Sequence, residues 1–435
     1  MSTKIVVIGA GYTGMLTAVS LAGRTRRRGD VEITVVNATE RFTERLRLHQ
    51  TATGQDLRDL SIRDLLAGSN ARLETGWVTG IDTAARTVRI DDEREIGYDT
   101  LIYALGGAAD TSAVPGAADH AYTLDSASEA DLFARRLTEL SEARVKDAAE
   151  PGQGRARDAG GREDGPGEGR ARDAGGREDG PGEGRARDAG GREDGPGEGR
   201  VVVCGSGLTG VEAAAEIAER FPRLTVTLLG RAEPGQNLGP RARDHLRTAL
   251  VRLGVQVRTG EIIKVRPDGV DLAGGETVPA GAILWTSGVR VSPLPAAAGL
   301  TVDDHGRIVV DEALRSVSHP RVWAIGDAAA ITQRYGVMHG TCQGGMPTAA
   351  HTAAQVVREL DGKPVKPFRF GYYHAPISLG RRDAVVQFTH ADDSPARMAL
   401  TGRAAVWYKE TVTASPWPTF QRARKHPASV MVWRR

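Results

Sequence analysis

Cysteine is almost missing from this chain. There are two, Cys204 and Cys342, far apart in sequence. That excludes a disulfide framework and fits a reducing compartment. It also excludes electron exchange through a redox-active cysteine pair, which needs two thiols a few residues apart. Long apolar runs are missing too. None reaches about 18 residues, the length that crosses a membrane, and the N-terminus enters a strand at once with no signal-peptide pattern. The chain therefore reads as cytoplasmic, with peripheral contact at the inner face of the cell membrane as the alternative. Charge of one sign is not in excess. A net charge of +2 and a pI near 8.6 give no reason to invoke nucleic acid. No metal site is expected.

What remains is an ordinary soluble composition, 40% hydrophobic and 26% charged over 435 residues. It suffices for two or three domains with a sizeable core. The most informative stretch is Lys4–Gly14, KIVVIGAGYTG. Ile5–Ile8 is short, wholly apolar and β-branched, as in a strand buried on both faces of a parallel sheet. Gly9, Gly11 and Gly14 follow at G-x-G-x-x-G spacing, and a helical pattern runs on through Leu16, Val19 and Leu21. The first glycine permits a tight turn, the second lets a pyrophosphate reach the backbone, and the third lets helix and strand pack closely. The helix N-terminus offers free N–H groups to the phosphates. A strand–turn–helix without a ligand is the alternative. Val31–Val36 reads as the next strand. At its end, where an acid usually grips a ribose hydroxyl, stands Asn37, whose amide can still bond a hydroxyl.

Arg200–Glu216, RVVVCGSGLTGVEAAAE, repeats this pattern. Val201–Val203 is the strand, Gly205, Gly207 and Gly210 carry the spacing, and a helix continues through Ile217. Two such units imply two nucleotides, most economically FAD in one and NAD(P)H in the other. The strand Leu224–Leu229 is followed by Gly230 and Arg231 rather than by an acid. An Arg there suits the 2′-phosphate of NADPH, unless it faces solvent.

Other strands end in glycine. Trp77–Arg89 suggests strands, Tyr98–Gly107 ends in Gly106 and Gly107, and Ala282–Gly288 ends in Gly288. Glycines there let backbone lie close to a ligand. Arg321–Ala329 places Asp327 at a strand's end beside Gly326. That carboxylate can accept a hydrogen bond from a sugar-alcohol chain, and the small residues after it can open a helix towards a flavin. A plain N-cap is the alternative. Pro115–Gly116 marks a turn, and Ala127–Val145 reads as a helix with Leu132, Leu137 and Leu140 on one side. The basic segment Arg41–Gly54, with Arg45, Arg47 and His49, reads either as a solvated helical face or as flavin-adjacent.

Gly154–Glu168, Gly169–Glu183 and Gly184–Glu198 are identical copies of GRARDAGGREDGPGE. They hold no leucine, valine, isoleucine or aromatic residue, so burial cannot offset the entropy of ordering them. They read as a disordered, tandemly expanded loop inserted at 150–199. Near the other end, Ile377–Phe388 suggests strand or loop. The tail from Trp407 contains Trp417, Trp433, Arg422, Arg424, Lys425, Arg434 and Arg435. Such a mixture can dock on anionic lipid, but Pro416, Pro418 and Pro427 break any long amphipathic helix. A small domain covering the flavin side, or a homodimer surface, is the alternative.

The fold class is therefore α/β, with two Rossmann-like dinucleotide-binding domains and a small C-terminal region. Residues 1–125 and 290–370 form the FAD-binding domain, 126–289 the NAD(P)H-binding domain, and 371–435 the C-terminal region. With VVIGAGYTG, LHQTATG, YDTLIYALGG, VVVCGSGLTGVEAAAE, ILWTSGVRVSPL and VWAIGDAA, the chain resembles the pyridine nucleotide–disulfide oxidoreductase fold family. Within it, the chain is similar to type II NADH dehydrogenase-like proteins. The resemblance implies that Gly9, Gly11 and Gly14 hold the FAD pyrophosphate, Asn37 its ribose and Asp327 its ribityl chain. It assigns the NAD(P)H pyrophosphate to Gly205, Gly207 and Gly210, and puts Glu212 near the nicotinamide–flavin contact. Glu212 read alone is a helix-stabilising glutamate. Three positions depart from the family: Asn37 for an acid, Leu105 for the threonine of A-T-G, and CQGGMPTAAH, Cys342–His351, for A-Q-x-A-x-Q.

The chemistry expected is hydride transfer from NAD(P)H to FAD, then electron delivery to a small quinone-like acceptor. A reductase for a protein carrier such as ferredoxin, and a flavin-binding signalling protein resembling apoptosis-inducing factor, are the competing classes. Deleting Gly154–Glu198 is expected to leave flavin content and melting temperature nearly unchanged. A melt and an absorption spectrum of the deletion variant check this.

Overall fold

The computed structural model describes residues 2–149 and 197–429. In chain order the elements that build the first half are β1 (Thr3–Ile8), α1 (Tyr12–Thr25), β2 (Val31–Asn37), α2 (Leu48–Thr51), β3 (Ala71–Thr75), β4 (Thr100–Tyr103) and α3 (Ala127–Ala149). The second half has β5 (Arg200–Cys204), α4 (Leu208–Arg220), β6 (Thr225–Gly230), α5 (Pro240–Arg252), β7 (Gln256–Thr259), β8 (Ala282–Trp285), β9 (Val322–Ala324) and α6 (Cys342–Leu360). Strands β10 (His374–Ser378), β11 (Ala384–Thr389) and β12 (Pro395–Thr401) and helices α7 (Gly402–Ala414) and α8 (Pro416–Lys425) complete it.

Two parallel sheets carry the architecture. The first runs β9–β4–β1–β2–β3, so a strand from late in the chain closes the sheet begun by the first residues. The second runs β7–β6–β5–β8. Both central strands, β1 and β5, have four consecutive buried residues, as strands covered by helices on both faces require. Helix α1 is buried on nearly every side, because the sheet, α6 and α8 enclose it. Between the two units, Gly107–Ala109 pairs antiparallel with Val289–Val291, where the chain crosses over and back. Ala117, Ala121 and Leu124 already pack with the second unit.

Helix α3 forms where expected, but not with the expected face. Ala130, Phe133, Leu137 and Leu140 are buried, whereas Leu132 is 37% exposed. Five residues separate Leu132 from Leu137, which is roughly 140° around a helix. Apart from Gly197 and Glu198, the repeats lie outside the described residues. Gly197 abuts the Ala280 backbone, so the last copy ends inside the packing of the second unit. The turn at Pro115–Gly116 is present, with Gly116 at φ +79°.

The C-terminal region is ordered structure rather than loop. Strands β10–β11–β12 form an antiparallel sheet, and Pro416 opens α8 at its first turn, where a missing N–H costs nothing. Helix α8 lies against α1 so closely that a Cβ on Gly23 would sit 2.7 Å from the carbonyls of Ala423 and Arg424. Trp417 and Phe420 pack on Phe42, with ring centroids 5.6 and 5.4 Å away. Arg424 donates to the carbonyls of Leu65 (3.0 Å) and Ala67 (2.6 Å). Two members of the basic-aromatic set are thus turned inward, while Arg422 and Lys425 are exposed. Trp433, Arg434 and Arg435 lie outside the described residues. No helix among the described residues is long and apolar enough to cross a membrane. Phe420 is fully buried, so Phe420→Ala should cost about 3–5 kcal/mol, read as a lowered denaturation midpoint.

Candidate functional site

The two glycine loops are built alike. Gly9, at φ +92°, turns the chain out of β1, and its N–H donates to the Val36 carbonyl (2.8 Å). A Cβ on Gly14 would lie 1.8 Å from the Gly9 oxygen, so α1 rests directly on the loop. A Cβ on Gly11 would meet nothing within 4 Å. In the second unit Gly205 sits at φ +124° and donates to Leu229 (2.7 Å). A Cβ on Gly210 would again lie 1.8 Å from the Gly205 oxygen, and Gly207 again faces open space.

The loops differ at one pair of positions. Strand register aligns Ile8 with Val36 and Cys204 with Leu229, so Asn37 and Gly230 are equivalent, as are Ala10 and Ser206. In the first unit the Ala10 N–H donates to Asn37 Oδ1 (2.9 Å), and Asn37 Nδ2 donates to the Thr39 carbonyl (2.8 Å). The amide thereby closes the loop itself, and its Nδ2 also reaches Thr39 Oγ1 (3.4 Å). In the second unit Ser206 Oγ donates to Ala232 O (2.6 Å). A Cβ on Gly230 would lie 2.3 Å from that Oγ. The absence of an acid at 230 follows from the serine beside it. Arg231 is exposed.

A second set of groups closes on the first loop. Gly326, at φ +65°, lies against Thr13 in the first turn of α1, and Gly345 in the first turn of α6 meets the same Thr13 methyl. The Gly326 N–H donates to Thr348 Oγ1 (3.2 Å). Asp327 fits because Gly340 has no side chain; a Cβ there would be 2.7 Å from its Oδ1. Burial pushes the Asp327 carboxyl above its usual range, against Arg45 and His339. The expectation that small residues after Asp327 open a helix fails. Gly326–Ala328 is one 3₁₀ turn, Ala329–Ala330 then pairs with Ile308–Val309, and the helix begins only at Cys342. A parallel pairing there keeps the chain extended.

Arg45 ties this side to the crossover. It donates to the Gly107 carbonyl (2.6 Å) and to Asp125 Oδ1 (2.7 Å), and Asp125 in turn accepts from the Ala109 N–H (3.0 Å). Gly106 lies at φ +67°, and Gly288 at φ +73° beside Asp110. Gly107 leaves room for Val289, whose methyl would lie 2.7 Å from a Cβ. These three glycines therefore sit at the hinge between the units, and Leu105 packs into the first core.

Glu212 is not a helix-end glutamate on the surface. Its Oε1 accepts from Lys409 Nζ (2.7 Å), from the Ser378 N–H (2.9 Å) and from Ser378 Oγ (3.1 Å). Burial pushes its carboxyl up, but Lys409 and the Ser378 N–H hold it below the usual range. His49 is buried, and burial drives its imidazole down to about 4, so it is neutral. The middle of the segment read as a possible solvated face is interior, with Leu48, His49, Gln50 and Thr51 all buried, while Arg41 and Arg45 stay exposed. Its start acts on Asp327 through Arg45, and at its end His49 Nε2 lies 3.5 Å from the Ser378 hydroxyl that bonds Glu212. It links the two glycine crevices, and α2 packs on α3 and α4.

Lys409 and Ser378 could not have been found from the sequence. They stand 197 and 166 positions from Glu212, with no motif around them. His49 carried a faint signal in LHQTATG. In CQGGMPTAAH, Gln343 spans to the third sheet, donating to the His374 carbonyl (2.6 Å) and accepting from the Tyr373 N–H (3.1 Å). His351 is buried beside Phe368, and its imidazole falls to about 4. The Cys204 thiol is fully buried, and burial pushes it up.

Comparison with known proteins agrees with this construction. The sequence pattern of the family described as pyridine nucleotide-disulphide oxidoreductase matches residues 3–149 and 165–355. An NADH dehydrogenase-like protein of Mycobacterium tuberculosis is 27% identical over 406 residues, covering 88% of this chain and 87% of its own. A type II NADH:quinone oxidoreductase of Haemophilus influenzae is 23% identical, covering 89% and 87%. The structure of NDH2 from Plasmodium falciparum in complex with NADH superposes with a TM-score of 0.72 over 99% of each chain, at 14% identity. That likeness establishes a shared fold.

The two loop glycines should separate by experiment. Helix propensity favours Gly14→Ala by about 1 kcal/mol, but the backbone oxygen it strikes cannot yield, so overpacking of about 1–3 kcal/mol should dominate. Gly11→Ala should change stability by less than about 1 kcal/mol and instead lower flavin retention. Melting of the flavin-free protein and flavin content after purification check both.

Proposed function

The chain belongs to the pyridine nucleotide-disulphide oxidoreductase family, and from that premise we propose that it is an FAD-dependent NAD(P)H dehydrogenase that delivers electrons to a quinone-like acceptor. The observation that carries the reading is the twofold glycine loop. Each loop has one glycine opening on empty space at a helix N-terminus, the setting a diphosphate needs. The relatives' names, NADH dehydrogenase-like and type II NADH:quinone oxidoreductase, point to the same class.

The residues present fit FAD in the first crevice. Gly9, Gly11 and Gly14 would cradle its diphosphate, Asn37 would stand beside the ribose, and Gly326 and Asp327 would meet the ribityl chain. Gly106, Gly107 and Gly288 would give its ring close backbone at the crossover. Bound there, FAD supplies a ring that takes a hydride from NAD(P)H and passes electrons onward. The second crevice, with Gly205, Gly207 and Gly210, would hold NAD(P)H. Position 230 carries no carboxylate to repel a 2′-phosphate, and Arg231 beside it can pair with one. Glu212, ionised and fixed by Lys409 and Ser378, is the candidate catalytic residue between the two. It keeps one charge in place where hydride and electrons pass, and buried His49 contributes no competing charge. The buried thiol of Cys204 takes no part. The exposed basic residues of α8 leave a peripheral membrane contact as the place where a lipid-soluble acceptor would be met.

Stopped-flow mixing tests the reading. NADPH, and more slowly NADH, should bleach the flavin, and menadione should restore it. Arg231→Ala should raise the KM for NADPH about tenfold with little change for NADH. Equal bleaching by both nucleotides overturns the role of Arg231. Reoxidation by ferredoxin but by no quinone overturns the acceptor.

A further inference from the structure

The loop that leads into α6 brings a histidine to the first crevice. Gly340 presses on Asp327, where a Cβ would lie 2.7 Å from Oδ1, and His339 is the residue before it. Asp327, His339 and the first turn of α6 line one small cavity. Tyr372, just before β10, fixes the histidine. Its hydroxyl accepts from the His339 N–H (3.0 Å) and donates to the His339 carbonyl (2.9 Å). The two rings stack, with centroids 4.4 Å apart and planes at 5°. The imidazole is thus held in place although its side chain is 54% exposed, and its Nε2 lies 3.4 Å from Asp393 Oδ2 in the turn between β11 and β12.

The imidazole stands between two carboxyls. Burial pushes the Asp327 carboxyl up, and Arg45 and then His339 draw it back. Burial also pushes Asp393 up, against His339. The other groups around the ring change this little. The hydroxyls of Tyr372 and of Tyr335, which packs on it, are pushed up by burial and stay neutral. Arg307, across the cavity, pairs with Asp303 (2.7 Å) and donates to the Met338 carbonyl (3.3 Å). His390 and Asp392, in the turn with Asp393, are exposed. Arg45 is always charged, but its fork is taken by the Gly107 carbonyl and Asp125. A histidine, by contrast, gains its charge as the medium turns acid. Acid therefore does two opposed things here: it drives a proton towards Asp327, and it charges the ring that resists that proton.

We propose that His339 is a positioning residue for the flavin that acts through Asp327: its protonated imidazole keeps the Asp327 carboxylate ionised under acid conditions, so that the ribityl hydroxyls keep a charged acceptor. This rests on the reading that FAD occupies the first crevice. A carboxylate accepts hydrogen bonds roughly twice as strong as those of a neutral acid, so a proton on Asp327 loosens the cofactor. The Tyr372 clamp serves this role, because an exposed imidazole free to swing into water would leave the carboxylate unguarded when it is most needed.

The test follows FAD release from the flavin-loaded full chain, by the fluorescence of free flavin, as the pH is lowered. Wild type should keep FAD to a lower pH than His339→Asn. The Kd of the variant for FAD should exceed the wild-type value about tenfold near pH ~5 and match it near pH ~8, where a histidine is uncharged. His339→Arg, charged throughout, should restore retention in acid. Asp327→Asn should weaken FAD at every pH and abolish the effect of His339→Asn, as residues acting through one contact require. A further readout needs no flavin. In carbon-13 spectra of the flavin-free chain labelled at aspartate, the Asp327 carboxyl should take its proton at a higher pH in His339→Asn than in wild type. Equal release by wild type and His339→Asn in acid, or an undiminished effect in the Asp327→Asn background, overturns the assignment. If the chain takes up no FAD at any pH but the Asp327 titration moves as stated, His339 stands as the guard of that carboxylate and the flavin reading falls.

Discussion

A carbonyl oxygen sits where a side chain would begin. The oxygen of Gly9 occupies the space of a Cβ on Gly14, and the oxygen of Gly205 does the same at Gly210. This contact lowers each helix onto the loop before it and aims its free N–H groups over the next glycine. Much else follows. Helix α1, pressed onto its sheet, offers Thr13 to Gly326 and Gly345 and its far end to α8, so one helix anchors the cofactor side and the chain's last described helix.

The sequence made the glycine geometry readable because the spacing itself is the physical cause. No other residue fits at 14 or 210, so the letters and the contact are the same fact. Asp327 was readable for a similar reason: a strand's end places it. The helix expected after it was not, because pairing of Ala329–Ala330 with Ile308–Val309 outweighs the local preference of small residues. Leu132 shows the opposite failure. Three leucines looked like a stripe, but the buried face is drawn by Ala130 and Phe133 as well as two of them. The partners of Glu212 were invisible. Lys409 and Ser378 reach it only through tertiary folding, and no local pattern encodes that. The arginines around His49 suggested solvent as readily as a place beside the flavin.

The C-terminal region acts as a brace across both units. On one side α8 grips α1 through Gly23, Phe420 and Arg424. On the other, Asp383 accepts from Arg252 (2.6 Å) and from His245 Nε2 (2.8 Å), and Gln387 accepts from the Gly239 N–H (3.0 Å). Lys409 adds the buried pair with Glu212. A pair so enclosed gains little net stability over an apolar substitute, but losing one partner strands a charge. Its value is geometric: it fixes where Glu212 points by reference to a strand and a helix of the third sheet.

The exchange at the loop ends has a consequence for anyone wishing to change which nucleotide each crevice accepts. Asparagine with alanine in one unit, and glycine with serine in the other, are two solutions of one volume equation. A lone aspartate at 230 would run into the Ser206 side chain and its amide nitrogen, 2.8 Å from where the new Cβ would stand. Reprogramming preference here is therefore a two-site edit at least, with the serine trimmed and the loop drawn back, as its counterpart already is around Ala10.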